Sequence, residues 1–260
     1  MRAKKSLGQN FLNDNDILNN IINIDDISNE DIVLEIGPGT GNLTKKILEK
    51  KPKNLIVIEK DNELANNLKN TFGDKLEVIN NDILNCYKKL KFDKPIKIYG
   101  NLPYNISTKI LVTFLKINNL NKFCKKLIFI FQKEVAERIV ASKNSKNYGR
   151  LSILTACKMT RKKMFDISPM SFYPKPKVWS SLVVLEPLLN QVKDSEIEKL
   201  EHITKIFFSE RRKMIKKPLK KLFKNYEEIA NKLNINLDIR PQNISEKKYL
   251  EISNLYNRIN

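Results

Sequence analysis

The stretch IVLEIGPGTGNLTKKIL, Ile32–Leu48, decides the fold. Ile32–Gly37 is an apolar, β-branched run of the length expected for a strand buried on both faces. Leu43, Ile47 and Leu48 then fall on one helical face. Between them lies EIGPGTG, Glu35–Gly41, with glycines at 37, 39 and 41. A strand, a glycine-rich turn and a helix make the opening unit of an open α/β sheet, and ligands bind beyond the carboxyl ends of such strands. The spacing is G-x-G-x-G and not the dinucleotide G-x-G-x-x-G, because residue 42 is Asn.

The same alternation continues outward. Asn54–Asp61, Leu76–Asp82, Ile96–Asn101 and Lys126–Phe131 read as further buried strands. Leu64, Ala65, Leu68 and Phe72 mark one intervening helix, and Ile106, Ile110, Leu111 and Phe114 another. This pitch predicts a mostly parallel sheet with helices on both faces. Leu151–Met159 and Ser180–Pro187 are expected to complete it. Near Glu186–Lys193 the pattern becomes a linker. Beyond it Ile197, Leu200, Ile203 and Phe207 share a helical face, and RRKMIKKPLKKLFK, Arg211–Lys224, carries eight basic residues in fourteen. The expected organisation is an α/β domain over residues 1–186 and a small, basic, all-α domain over 187–260.

Composition narrows the function. The 260 residues carry 48 Lys+Arg against 29 Asp+Glu, a net charge of +19, which points to a polyanionic partner. The three cysteines, Cys86, Cys124 and Cys157, are widely spaced and form no Cys-x-x-Cys, so a disulfide framework or a metal site is not expected. The one histidine, His202, lies in an amphipathic helical segment. Ser-His-Asp, Cys-His and His-ligated metal chemistry are therefore poor fits. No apolar run approaches the ~18 residues of a membrane span, and the basic N-terminus has no apolar core behind it. A cytoplasmic protein is expected.

The strand ends carry the chemistry. Glu59 falls about twenty residues beyond the glycines, where a carboxylate can accept both ribose hydroxyls. At that point NAD and S-adenosylmethionine fit about equally. Asp82, at the tip of the next strand, can read an adenine amino group. Acids at three successive tips, Glu35, Glu59 and Asp82, favour a cationic single nucleoside over a pyrophosphate. The fourth strand ends in YGNLPYNIST, Tyr99–Thr108. The amine of a nucleobase is a poor nucleophile because its lone pair is delocalised into the ring. Two acceptors aimed at its N–H bonds localise that pair, and Asn101 and the Leu102 carbonyl are spaced to do so. Pro103 fixes its own φ and holds Leu102 extended. Tyr104 offers a flat surface for a base. Positioning against a sulfonium methyl supplies much of the rate, and no imidazole is required.

GQNFL (Gly8–Leu12), EIGPGTG, VIEKD, NND, GNLPYNIST, QKEVAERI (Gln132–Ile139), YGRLS (Tyr148–Ser152), FYPKPKV (Phe172–Val178) and RRKMIKKPL (Arg211–Leu219) occur in this order. Together they resemble the ribosomal RNA adenine dimethyltransferases of the kasugamycin-sensitivity type, from about residue 4 to the C-terminus. The resemblance implies a class I, Rossmann-like methyltransferase with a mostly parallel seven-stranded sheet and a small helical C-terminal domain. It implies S-adenosylmethionine as cofactor and dimethylation of two adjacent adenosines near the 3′ end of small-subunit rRNA, within a partly assembled subunit. A monomer that binds neither membrane nor metal is expected. On matching positions, Asn10, Leu12, Gly37, Gly39, Glu59, Asp82, Ile83 and Asn101 would bind the cofactor. Asn101, Leu102, Pro103 and Tyr104 would handle the target base, with Phe172 closing its other face. Arg211, Arg212, Lys213, Lys216 and Lys217 would grip RNA.

Two positions depart from the family pattern. Trp179 stands where an acidic residue is usual, so the rim of the target pocket is expected to differ. Pro218 stands where a small polar residue is common and is expected to kink or end its helix. The alternatives are a related class acting on large-subunit rRNA, a non-catalytic descendant serving in transcription, and a pure RNA-binding scaffold. The intact Asn101–Tyr104 set favours a catalyst.

Overall fold

The computed structural model describes residues 4, 7–189 and 192–259. Residues 1–3, 5 and 6 of the basic N-terminus and residues 190–191 of the expected linker lie outside the described residues. The strands are β1 (Phe11–Leu12), β2 (Ile32–Ile36), β3 (Asn54–Glu59), β4 (Glu77–Asn80), β5 (Ile96–Asn101), β6 (Cys124–Gln132), β7 (Met159–Ile167), β8 (Phe172–Tyr173) and β9 (Ser180–Pro187).

Among the described residues, seven of these strands form one sheet in the order β4-β3-β2-β5-β6-β9-β7. The first five run parallel, and β9 is antiparallel to β6. The strand order reverses at β2, whose neighbours are β3 on one side and β5 on the other. Chains leaving β2 and β5 cross to opposite faces and leave a crevice between them, the switch point at which open α/β sheets take ligands. Pairing of Ile36 with Ile58 and Gly100, and of Glu59 with Asn80, brings the strand tips level. The central strands are buried on both faces, Val33, Leu34, Val57, Ile98 and Phe129 among them, which is why they read as continuous apolar runs and not as alternations.

The apolar run at Leu151–Met159 does not form a strand. Arg150–Ala156 is helical, and the strand that follows is β7. A short, wholly buried run carries no periodicity that separates strand from helix. Here Ser152 Oγ accepts the Gly149 N–H at 3.0 Å and Thr155 donates to the Leu151 carbonyl at 2.8 Å, both bonds that a helical turn provides. β7 itself, MTRKKMFDI, is hidden in the sequence by its charged residues.

Contacts divide the chain into two units. The first comprises the residues up to Thr113, Asn121–Ala136 and Lys162–Pro187, and the second Phe114–Leu120, Glu137–Arg161 and the chain from Leu188 on. The expected boundary at residue 186 lies beside the last of these breaks, but 114–120 and 137–161 group with the C-terminal segment. In the second unit the helix Asp194–Ser209 packs on Arg150–Ala156 and Glu246–Ile259. Ile197, Leu200, Ile203 and Phe207 are buried there as their periodicity predicts. The Tyr249 and Phe207 rings meet edge to face at 5.3 Å. The hydroxyls of Tyr148 and Tyr249 donate to the carbonyls of Ile244 and Pro241. Pro218 neither kinks nor ends its helix. It is the third residue of Lys216–Leu222, within the first turn, where its missing N–H breaks no helical bond.

Candidate active site

A cavity of about 150 Å³ opens at the switch point. It is lined by the N-terminal segment Leu7–Leu12, the glycine loop, the end of β3, Asn81–Ile83 and the segment beyond β5. Asn10, Leu12, Gly37, Gly39, Glu59, Asp82, Ile83, Asn101, Leu102, Pro103 and Tyr104 all border it, although they come from five separate stretches of chain.

The glycine loop lets backbone approach backbone. Gly39 has φ +58°, and a Cβ on it would stand 2.7 Å from the Phe11 ring. Any side chain there would force the N-terminal segment off the loop. Glu59 sits at the tip of β3, 6% exposed. Its Oε2 accepts the Gly39 N–H at 3.2 Å and its Oε1 the Asp61 N–H at 2.8 Å. Burial pushes its carboxyl above the usual range, against the lowering pull of those N–H donors. Each oxygen keeps a second lone pair for a hydroxyl donor. Asp82 caps the short helix Ile83–Cys86: Oδ1 accepts the Leu84 N–H at 2.9 Å and Oδ2 lies 3.0 Å from Lys60 Nζ. Partial burial would raise its pKa, but the Leu84 N–H and Lys60 together hold it below the usual carboxylate range.

Glu35 does not act as the third anion. It borders the cavity, but Thr44 donates to its Oε2 at 2.6 Å. Complete burial pushes its pKa up to about 8, with Thr44 opposing and Glu59 adding to the rise. At neutral pH it is largely protonated and ties β2 to the following helix. The cavity's open acidic acceptors are therefore Glu59 and Asp82.

Asn101 ends β5 with its amide orientation fixed. Nδ2 donates to the Asn10 carbonyl at 2.7 Å, which leaves Oδ1 as the group free to accept. Beside it Leu102 is buried, and the Pro103 carbonyl accepts the N–H groups of Ile106 and Ser107, starting the helix Tyr104–Leu115. The Tyr104 ring is half-buried, its hydroxyl 2.6 Å from Ser180 Oγ on β9. Burial raises that hydroxyl's pKa and the Ser180 bond opposes the rise, so it stays protonated.

The N-terminal segment is clipped down by contacts that sequence reasoning missed. Gln9 Nε2 donates to Asp61 at 3.2 Å, and Lys4 Nζ reaches the same carboxylate at 2.8 Å. Asn42 donates to the Leu12 carbonyl and to Asn13 Oδ1, both at 2.8 Å. β1 pairs antiparallel with β8, Leu12 opposite Phe172. Asp61 and Gln9 lie inside VIEKD and GQNFL, so the motifs held the signal but not the pairing.

Phe172 does not reach the cavity. It is 4% exposed and packs with Leu12 in the core, while Tyr173, on the other face of the two-residue strand, is exposed. The expected basic grip also loses a member. Arg211 bonds the Lys146 carbonyl and donates to Gln242 at 3.2 Å, holding loops within the second unit together. Arg212, Lys213, Lys216 and Lys217 remain exposed. Cys86, Cys124 and Cys157 are buried and unpaired with one another, and burial pushes the Cys157 thiol up to about 12. His202 is exposed, its ring 6.1 Å from that of Tyr256. Among the described residues no group of His, Cys, Asp and Glu could hold a metal, and no helix is long and apolar enough to cross a membrane.

A family model described as Ribosomal RNA adenine dimethylase matches residues 1–258. The chain belongs to the ribosomal RNA adenine dimethylase family. It is 49% identical over 98% of its length to a protein of Pelagibacter ubique named Ribosomal RNA small subunit methyltransferase A, 97% of which is covered. A dimethyladenosine transferase from Plasmodium falciparum superimposes with a TM-score of 0.76 at 28% identity, over 95% of this chain and 98% of that one. The 23S rRNA methyltransferase ErmE shares the fold, with a TM-score of 0.70 at 20% identity over 95% and 99% of the two chains. The chain is thus a Rossmann-like, S-adenosylmethionine-dependent rRNA adenine dimethyltransferase. The cavity's donors and acceptors suit that cofactor. Glu59 has open lone pairs for hydroxyls, Asp82 is an acceptor for an amino group, and the Gly39 backbone permits close approach.

Proposed function

We propose that the chain methylates the N6 amines of two adjacent adenosines near the 3′ end of small-subunit rRNA. S-adenosylmethionine, bound across Glu59, Asp82, Ile83, the Gly37–Gly39 loop and the Asn10–Leu12 segment, supplies an electrophilic methyl. Asn101 Oδ1 and the Leu102 carbonyl accept the amine's two N–H bonds and localise its lone pair. Pro103 holds the pair of acceptors in place, and the Tyr104 ring carries the base. The alkylated nitrogen loses its proton to water. Arg212, Lys213, Lys216 and Lys217 neutralise RNA phosphates. The substrate is a partly assembled small subunit, met in the cytoplasm by a monomeric enzyme.

The orientation of Asn101 carries this reading. Its nitrogen is committed to the Asn10 carbonyl at 2.7 Å, which leaves an oxygen at the cavity's edge beside a proline and a half-buried tyrosine. Asn101→Ala is expected to lower kcat for methyl transfer to immature small subunits by about 10²–10³-fold, the usual cost of removing one preorganised polar partner. Thermal stability reports whether the fold survives. Near-normal turnover in a folded variant overturns the assignment.

A further inference from the structure

Trp179 is the chain's single tryptophan, and it is 51% exposed. An indole in solvent leaves a large apolar face unused, unless a flat ligand covers it. It is not a loose side chain. Lys133 Nζ lies over the ring, 5.9 Å from its centroid, and is itself held 2.6 Å from Asp166. The Lys133 N–H donates to the Trp179 carbonyl at 2.9 Å. The next residue, Ser180, is the one that anchors the Tyr104 hydroxyl. The indole and the anchor of the base platform are therefore carried by consecutive residues.

The surroundings choose the occupant. Tyr173 and Val178 are exposed in the same loop, together with Lys175 and Lys177. No acidic residue occurs from Ile167 to Ser180. Aromatic faces alternating with lysines suit unpaired nucleotides, where bases stack and phosphates are neutralised. An acid at position 179 would repel a phosphate there, and a tryptophan can carry a base.

We propose that Trp179 is a stacking subsite for the unpaired nucleotide next to the target adenine. Trp179 adjoins Ser180, whose hydroxyl holds Tyr104 at the edge of the methyl-transfer cleft, so this inference rests on the function proposed above. It adds a contact that binds RNA without touching the reacting amine.

As the only tryptophan, Trp179 reports on itself. Titrating the full chain with a short single-stranded RNA bearing two adjacent adenosines is expected to quench its fluorescence saturably. Trp179→Ala is expected to raise KM for the immature small subunit about tenfold, the scale of one base stacked on an aromatic ring. kcat and KM for S-adenosylmethionine should stay unchanged, and Trp179→Phe should restore most of the loss. An unquenched indole on RNA binding, or an unchanged RNA KM in a folded Trp179→Ala variant, overturns the subsite. So does a Trp179→Ala variant whose only change is lost self-association, since the occupant is then a second copy. Absence of methyl transfer by the unmodified chain overturns the underlying function, and the subsite with it.

Discussion

At the entry ends of β2, β5 and β6, Lys97 Nζ lies 3.0 Å from Asp31 and 3.1 Å from Asp25 and also donates to the Asp26 carbonyl. Lys125 reaches Asp31 at 3.1 Å and Lys126 reaches Asp25 at 2.8 Å. At the exit ends of β3 and β4, Glu59 and Asp82 are held by the backbone N–H groups of Gly39, Asp61 and Leu84, and Asp82 pairs with Lys60. Both ends bring carboxylates to strand tips. At one end lysines close the account within the protein. At the other, dipoles orient the acids and leave acceptor capacity for a ligand. Asp31 shows the first case: burial would raise its pKa, but the Ser28 N–H, Lys97 and Lys125 hold it well below the usual range. Glu59 shows the second, its carboxyl shifted upward by burial.

Breaking the closed end should have the largest effect. Lys97→Met leaves two buried carboxylates short of a cation and is expected to destabilise the chain by about 3–5 kcal/mol. Chemical denaturation measures that loss, and turnover per folded molecule at low temperature should be unchanged. An equal loss of activity would mean the two ends are not independent. Glu59→Gln probes the open end and removes a charged acceptor. The dissociation constant for S-adenosylmethionine should rise about 10- to 100-fold, the range for a hydrogen bond to a charged group. Stability is expected to fall by about 1–3 kcal/mol, because Gln turns its NH2 toward one of the Gly39 and Asp61 N–H groups. The smallest effect on turnover and cofactor binding belongs to Glu35, which lies at the open end but is internally satisfied. Its folded pKa, about 8, lies above the 4.5 of a free glutamate, so the folded state binds the extra proton between those values. Its contribution is present in full below pH 4.5 and is lost as pH rises toward 8. Glu35→Gln keeps an acceptor for Thr44 and carries no proton to lose. The variant should therefore gain on the wild type as pH rises across that window, read from denaturation midpoints at several pH values.

Much of the first unit was legible because its chemistry sits where periodicity stops. The runs ending at Glu59, Asp82 and Asn101 are buried strands, and the level pairing of their tips follows from parallel register. What escaped depends on partners far along the chain. Nothing local marks Phe172 as a core residue, because its burial comes from pairing with Leu12. Nothing marks Arg211 as a brace, because Lys146 and Gln242 are distant in sequence. Charge alone could not tell the satisfied Glu35 from the open Glu59. The difference is one hydroxyl, Thr44, on the next helix.

The pairing of β1 with β8 bears on synthesis. Ser171 donates to Asp14, the cap of the first helix, across a sequence separation of 157 residues. The segment that roofs the cofactor cavity is made well before its ribbon partner, which is among the last parts of its unit. Closing so long a loop comes late and slowly in folding. A nascent chain thus carries its glycine loop and Asn-Leu-Pro-Tyr segment well before it has a complete roof over them, and the cleft is finished only after β8 has emerged.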